Sequence, residues 1–116
     1  MRFVALVIIA SSEYEESLKV VAKEAGASGA TVMQAKGSGY EEKKSFFSLT
    51  FEGNQIVLLY ILEEKMSKSV LKAIKKEIED KKSDCIAFTT PISHIVGLNG
   101  NIIKKFEENI ISEEIL

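Results

Sequence analysis

Two uninterrupted apolar runs constrain the fold of this chain more than any other feature. Phe3–Ala10 and Ile56–Leu62 consist of aliphatic and aromatic side chains, many of them β-branched. Runs of this length suit β-strands, because a membrane-spanning helix needs about 20 apolar residues. A strand with one face in water alternates apolar and polar residues, and neither run alternates. Both runs are therefore predicted to be strands that are buried on both faces of a sheet.

Three other segments carry apolar residues at helical spacing. In the first, Ser12 and Glu15 fit a capping box, and Gly26 follows the last apolar position, where a left-handed residue is tolerated. The second is predicted to begin at a cap formed by Ser67, and its apolar positions are Val70, Leu71, Ile74 and Ile78. The third is a closing amphipathic helix within Asn101–Leu116, with apolar residues Ile103, Phe106 and Ile110.

Shorter extended segments lie between these elements. The predicted strands are Thr31–Lys36 and Cys85–Phe88, the latter continued by Ile92–Val96, and Phe46–Phe51 is predicted to be another extended piece before the second apolar run. Glu52–Gln55 is predicted to be a turn. The resulting order is strand, helix, strand, strand, helix, strand, which is the order of an α+β, ferredoxin-like βαββαβ sandwich, here with a C-terminal helical extension. We expect one domain over residues 1–116.

This topology places the two apolar runs at the centre of the sheet. Both helices of such a fold cover one face, so the second apolar face needs another cover. Other copies of the chain provide it more readily than the closing helix alone, because monomers rarely expose an apolar patch of this size. The pattern therefore predicts a homo-oligomer.

Composition excludes several classes of function. The formal net charge is −2, and no basic face is present that would favour nucleic acid. Cys85 is the only cysteine, so an intrachain disulfide is excluded. The first apolar run lacks the flanks of a signal peptide and is too short to span a membrane. We expect a cytoplasmic protein that does not insert into a membrane.

Two longer motifs resemble the P-II signal-transduction family. The first is "GASGATVMQAKGSG", Gly26–Gly39, which is similar to the second strand of that family and its exit into the T-loop. The second is "AFTTPISHIVGL", Ala87–Leu98, which is similar to the last strands. The resemblance implies a ferredoxin-like homotrimer that binds adenine nucleotides, and in many members 2-oxoglutarate, in clefts between subunits. It also implies regulation of a target protein, such as a transporter or a metabolic enzyme.

The resemblance assigns five candidate binding residues. It places Thr31 against the adenine, Lys36, Gly37 and Gly39 at the base of the T-loop, and Lys82 near the phosphates. Each residue has a structural alternative: the glycines also suit a turn that leaves an edge strand, Thr31 a strand position, and Lys82 a solvated helix end.

The chain also departs from that family. Only Tyr40–Ser45 stand where the T-loop would be, and "EDKKSDCI", Glu79–Ile86, has no glycine where the family has a phosphate-binding B-loop. The basic R-x-R pair falls at Gly97 and Asn99. Most of the residues with which that family binds phosphate are therefore missing from this chain.

No constellation indicates catalysis or a metal site. Cys85 and His94 are the only residues of their kinds, and the carboxylates are spread along predicted helices. The sequence thus predicts a P-II-like regulatory protein that is not an enzyme and that binds a small effector, a partner protein, or both. Two alternatives stay open: an interaction module that binds no nucleotide, and a divalent-ion-tolerance-like trimer of the same fold.

Overall fold

A computed structural model describes residues 1–36 and 54–98 of the chain, together with Lys104. A short 3-10 turn, Ser12–Tyr14, joins the first strand to the first helix. The strands and helices, in chain order, are β1 (Phe3–Ser11), α1 (Glu15–Glu24), β2 (Thr31–Lys36), β3 (Asn54–Glu63), α2 (Glu64–Glu79) and β4 (Cys85–Pro91). The predicted strand Phe46–Phe51 lies outside the described residues, as does the closing helix except for Lys104, which is helical.

The four strands form one antiparallel sheet in the order β2-β3-β1-β4. The two apolar runs therefore occupy the two central strands, as predicted. They pair along their whole length, from Phe3 opposite Glu63 to Ser11 opposite Gln55. The α+β, ferredoxin-like prediction is confirmed over the described elements.

One face of the sheet packs against both helices. Alternate residues of β1 and β3 share this face through their register, with Leu6 opposite Tyr60 and Ile8 opposite Leu58. Leu18 and Ala22 of α1 join them in one buried cluster with Val70 and Ile74 of α2. In α2, Val70 and Ile74 are buried as the apolar spacing predicted, Leu71 is partly buried, and Ile78 at the end of the helix is 36% exposed.

The other face, which we call the open sheet face, is apolar but only partly buried in the single chain. Its residues are Ala5, Val7 and Ile9 of β1, Val57, Leu59 and Ile61 of β3, Met33 of β2, and Ile86 and Phe88 of β4. Ile61, Met33 and Phe88 are each more than 40% exposed. The prediction of strands buried on both faces is therefore not met within one chain, because the two helices cover only one face.

Both predicted helix caps are wrong. Ser12 lies in the 3-10 turn, and α1 begins after Tyr14, whose side chain forms no capping hydrogen bond. The helix α2 begins earlier than predicted and is capped by Glu63, whose carboxylate accepts hydrogen bonds from the amides of Lys65 (2.8 Å) and Met66 (3.3 Å). Ser67 lies inside this helix, where its hydroxyl donates to the carbonyl of Glu64.

Two extended segments also differ from prediction. Asn54 and Gln55 belong to β3 rather than to a turn. The last strand continues to Pro91, and Ile92–Val96 has no regular structure. Gly26 ends α1 with φ +113°, as predicted, and a Cβ at this position would lie 2.5 Å from the sulfur of Met66.

The cap of α2 yields a stability prediction. Replacing Glu63 with alanine removes the carboxylate that accepts from the amides of Lys65 and Met66, so we expect Glu63→Ala to lower the free energy of unfolding by about 1 kcal/mol. The matched control is Ser67→Ala, which leaves both amides capped and should cost less. Urea denaturation of the two variants measures the difference. A larger loss in Ser67→Ala than in Glu63→Ala would contradict this assignment of the cap.

Candidate functional site

One end of the sheet carries the candidate residue Lys36 at one edge and the connection that contains Lys82 at the other edge. Here β1 ends at Ser11, β2 ends at Lys36, β3 begins, and β4 begins at Cys85. Lys36 lies opposite Asn54 in the register and is exposed. Gly37 and Gly39, the other predicted residues at the base of the loop, lie outside the described residues. This end of the sheet is therefore the candidate site that the structure offers for an effector.

Gln55 lies beside Lys36 at this end and was missed by sequence reasoning. Its backbone is opposite Ser11 on one side and Ala35 on the other. Only 2% of the residue is exposed, and its Nε2 has no hydrogen-bond partner in the structure as described. An unpaired buried polar group costs about 1–3 kcal/mol, so a native one calls for an explanation such as a ligand. The available sequence signal is a lone polar residue just before an apolar strand, in a stretch predicted to be a turn.

Thr31 does not approach Lys36 within one chain. The two residues lie at opposite ends of β2, and five extended steps separate their Cα atoms by roughly 17 Å. Thr31 lies opposite Leu59, in the middle of β3. A single small ligand that contacts both residues would therefore have to lie between two chains, with Thr31 supplied by one and Lys36 by the other.

Lys82 belongs to the connection between α2 and β4, where the resemblance would place a phosphate-binding loop. The amide of Lys81 donates to the carbonyl of Ile78 (3.0 Å), and that of Lys82 donates to the carbonyl of Glu77 (3.0 Å). This pattern is a Schellman motif, and Lys81 occupies its left-handed position with φ +58°. Glycine is the usual residue there, because a side chain strains this conformation.

The same connection is tied to both helices through Ser83. This residue is buried, and its hydroxyl lies 3.3 Å from Oε2 of Glu77 and 3.3 Å from the hydroxyl of Ser17 in α1. The amides of Lys81 and Lys82 thus bond to the end of α2, and the hydrogen bonds of Ser83 hold the segment in place. The side chain of Lys82 is exposed and can offer a charge, but its own amide cannot cradle a phosphate.

Lys82 and Lys36 lie near opposite edges of the sheet. Lys36 ends the edge strand β2, whereas Lys82 precedes the other edge strand, β4. The ends of these two strands are separated by three strand spacings, or about 14 Å. The single chain therefore places Lys36 and Gln55 at the same end of the sheet but with their side chains on opposite faces, because Lys36 pairs with Asn54 and Gln55 with Ala35. Thr31 and Lys82 lie farther away.

Cys85 and His94 do not form a nucleophilic pair. Cys85 is buried at the start of β4, and His94 is exposed beyond its other end, so the seven-residue strand, roughly 20 Å long, lies between them. Burial raises the pKa of the Cys85 thiol to about 11, and the negative charges of Asp84 and Glu77 add to this effect. The thiol is therefore protonated at neutral pH, which is unfavourable for nucleophilic attack.

Metal-ligating side chains are also dispersed in the part of the chain that the structure describes. No three of its histidine, cysteine, aspartate or glutamate residues come together in a group that could hold a metal ion. Among the same residues, no helix is both long and apolar enough to cross a membrane.

Comparison with known proteins relates this geometry to a family. The sequence model of the family "Nitrogen regulatory protein P-II" matches residues 3–101. A comparison with curated protein sequences found no match.

Solved structures of PII-like proteins share the fold. CPII from Thiomonas intermedia K12, in complex with ADP, AMP and acetate, is 19% identical over 90% of this chain and 94% of its own, with a TM-score of 0.65. The same protein in complex with ADP, AMP and bicarbonate is 20% identical over 91% of this chain and 98% of its own, with a TM-score of 0.60. A proposed PII-like signalling protein from Thermus thermophilus is 24% identical over 79% of this chain and 87% of its own, with a TM-score of 0.57.

The buried thiol yields a reactivity prediction. At pH 8, a rise in the pKa of Cys85 from 9.0 to about 11 lowers its thiolate fraction by about 100-fold. We therefore expect iodoacetamide to modify the native protein at least ten times more slowly than the urea-unfolded protein at this pH. Mass spectrometry of timed samples measures both rates. Equal rates under the two conditions would show that Cys85 is accessible and ionised in the native state.

Proposed function

This chain belongs to the nitrogen regulatory protein P-II family, and from that membership we propose that it is a regulatory protein that binds a small anionic effector between the subunits of a homotrimer. An adenine nucleotide, ADP or AMP, is the effector class that the liganded CPII structures favour. In this proposal the protein acts in the cytoplasm on a target protein, such as a transporter or a metabolic enzyme, and is not itself an enzyme.

The buried, unpaired Nε2 of Gln55 is the observation that supports effector binding most directly. An amide donor needs an acceptor such as a carboxylate, carbonyl or phosphate oxygen. Lys36 ends the neighbouring strand and points to the other face, so in this proposal its long side chain reaches around the end of the sheet to bring a positive charge to an anion. Binding would therefore replace an unsatisfied buried group by a charge-assisted contact, which stabilises the liganded arrangement.

The open sheet face and the separation of Thr31 from Lys36 support the homotrimer. Copies of the chain that pack through this face would bury apolar side chains such as Val7 and Leu59. The same packing would place the β2 residues of one subunit against the sheet end of another. A cleft between subunits can then bring Thr31 and Lys36 to one ligand, which a single chain cannot do.

The α2–β4 connection influences which effector is favoured. Because the amides of Lys81 and Lys82 are used by the helix end, phosphate recognition would rest on lysine side chains as point charges. This arrangement favours a smaller or less charged ligand over a triphosphate. Binding would act as a regulatory signal by favouring one arrangement of the protein over another.

An interaction module that binds no nucleotide is the second candidate function. It is favoured by the same connection, since Ser83 and the Schellman motif hold the segment closed without a ligand. In this case the partner protein itself would cover Gln55 and Lys36.

A thermal-shift experiment separates these two functions. We expect ADP, AMP, 2-oxoglutarate or bicarbonate, at 100 times its Kd, to stabilise the protein by about 2.7 kcal/mol. Gln55→Leu removes the unpaired amide, so it should leave the unliganded protein at least as stable and abolish the ligand-induced shift. Lys75→Ala, on an exposed position of α2, is the control and should keep the shift. If no ligand in this panel, and no ATP, shifts the wild-type protein, the interaction module is favoured instead.

Oligomeric state provides a second, independent prediction. Light scattering should give the mass of three copies of the 12.8 kDa chain. Val7→Asp places a charge in the middle of the open sheet face and should release smaller species, because burying an unpaired charge is costly. Val20→Asp is the matched control, since Val20 is 52% exposed on α1, away from that face. A monomeric wild-type protein would contradict the trimer whether or not Val7→Asp folds.

A further inference from the structure

A groove lies at the end of the sheet opposite to the candidate effector site. It has a volume of about 790 Å³ and is formed by the start of β1, the first turns of α2 and the segment that follows β4. Its apolar lining consists of Met1, Phe3, Val4, Leu71, Pro91, Ile92 and Ile95. We call it the β1–α2 groove. Its position and its lining make it suitable for a segment with apolar side chains.

The charges along the groove are mainly positive. Arg2 and Lys68 belong to its lining, and Glu64 is the acidic residue among the described residues that line it. Both cations are exposed, so their charged groups can reach a partner at the rim. The groove therefore favours an occupant that is apolar on one side and acidic on the other.

The segment that follows β4 lines this groove and then continues into the C-terminal sequence. The amide of Ile92 donates to the carbonyl of Phe3 (3.1 Å), so the segment after β4 starts against β1. Ser93 and Ile95 then form part of the groove wall. The described residues continue to Leu98, three residues after Ile95. Each further residue extends the reach by up to about 3.5 Å, so the residues that follow lie within reach of the groove.

The C-terminal sequence has the composition that the groove favours. Residues 101–105 include the two lysines Lys104 and Lys105, whereas residues 106–116 contain four glutamates and no lysine or arginine. The same stretch has five large apolar side chains, which are Phe106, Ile110, Ile111, Ile115 and Leu116. A tethered segment is also present at a high effective concentration, which gives it an advantage over an occupant from solution.

We propose that the C-terminal segment, residues 101–116, docks in the β1–α2 groove of its own chain. Its apolar residues pack against Leu71 and Ile92, and its glutamates face Arg2 and Lys68. The docked segment lies between the start of β1 and the start of α2, which a hydrogen bond from the amide of Glu64 to the carbonyl of Arg2 (2.9 Å) already joins. This contact does not depend on effector binding, because the candidate effector site is at the other end of the sheet.

Hydrogen exchange on the full-length protein tests this proposal. We expect the amides of residues 104–116 to exchange at least five times more slowly than in an unstructured peptide. Lys68→Glu reverses the charge at the rim and should remove most of this protection. Lys72→Glu makes the same change one helical turn further along α2, at an exposed residue that is not part of the groove lining, and should preserve the protection. The double variant Phe106→Ser with Ile110→Ser should behave like Lys68→Glu, while exchange in β1 and β3 confirms that each variant is folded.

A disulfide experiment distinguishes docking in the same chain from docking in a second copy. In Ser93→Cys with Ile110→Cys, oxidation should produce a cross-link within one chain, which non-reducing electrophoresis separates from cross-linked dimers. The controls are the two variants with one introduced cysteine each, which also retain the buried native Cys85. Unprotected amides in the wild-type segment, equal exchange in Lys68→Glu and Lys72→Glu, or cross-links only between chains would each overturn the proposal.

Discussion

The pairing of β1 with β3 is the interaction on which the rest of this structure depends. Nine residue pairs join the two strands, and the side chains on both faces of the pair are almost all apolar. On one face they form a core with both helices, which buries Leu6, Ile8, Leu58 and Tyr60. On the other face they leave an apolar surface that the chain does not cover. The folding core and the proposed subunit interface are therefore two faces of the same pair of strands.

The register of this pair also positions the candidate effector site. It places Gln55 opposite Ser11 at one end of the sheet, next to the end of β2, where Lys36 lies. A shift by one residue would turn Gln55 toward the helices and move Val57 and Leu59 off the open sheet face. The position of the buried amide at the end of the sheet and the apolar surface for other subunits thus follow from one register.

The connection between α2 and β4 shows how this chain differs from the pattern of its family. Where a glycine-rich loop could offer free amides, a Schellman motif uses the amides of Lys81 and Lys82, and Ser83 ties the segment to both helices. These bonds stabilise the end of α2, and they remove donors that a phosphate would need. In the proposed function, recognition of a phosphate at this connection therefore rests on lysine side chains rather than on backbone amides.

The sequence by itself determined the central pair of strands, the order of the elements and the buried faces of the helices, because hydrophobic periodicity reflects burial directly. The sequence also shows directly that the stretch from Glu79 to Ile86 contains no glycine. Only the tertiary structure decided that Glu63 rather than Ser67 caps α2, and that Gln55 is buried with an unpaired amide. The tertiary structure likewise decided the separation of Thr31 from Lys36. These features depend on which backbone groups face each other across the sheet and at helix ends, and residue identity does not encode that directly.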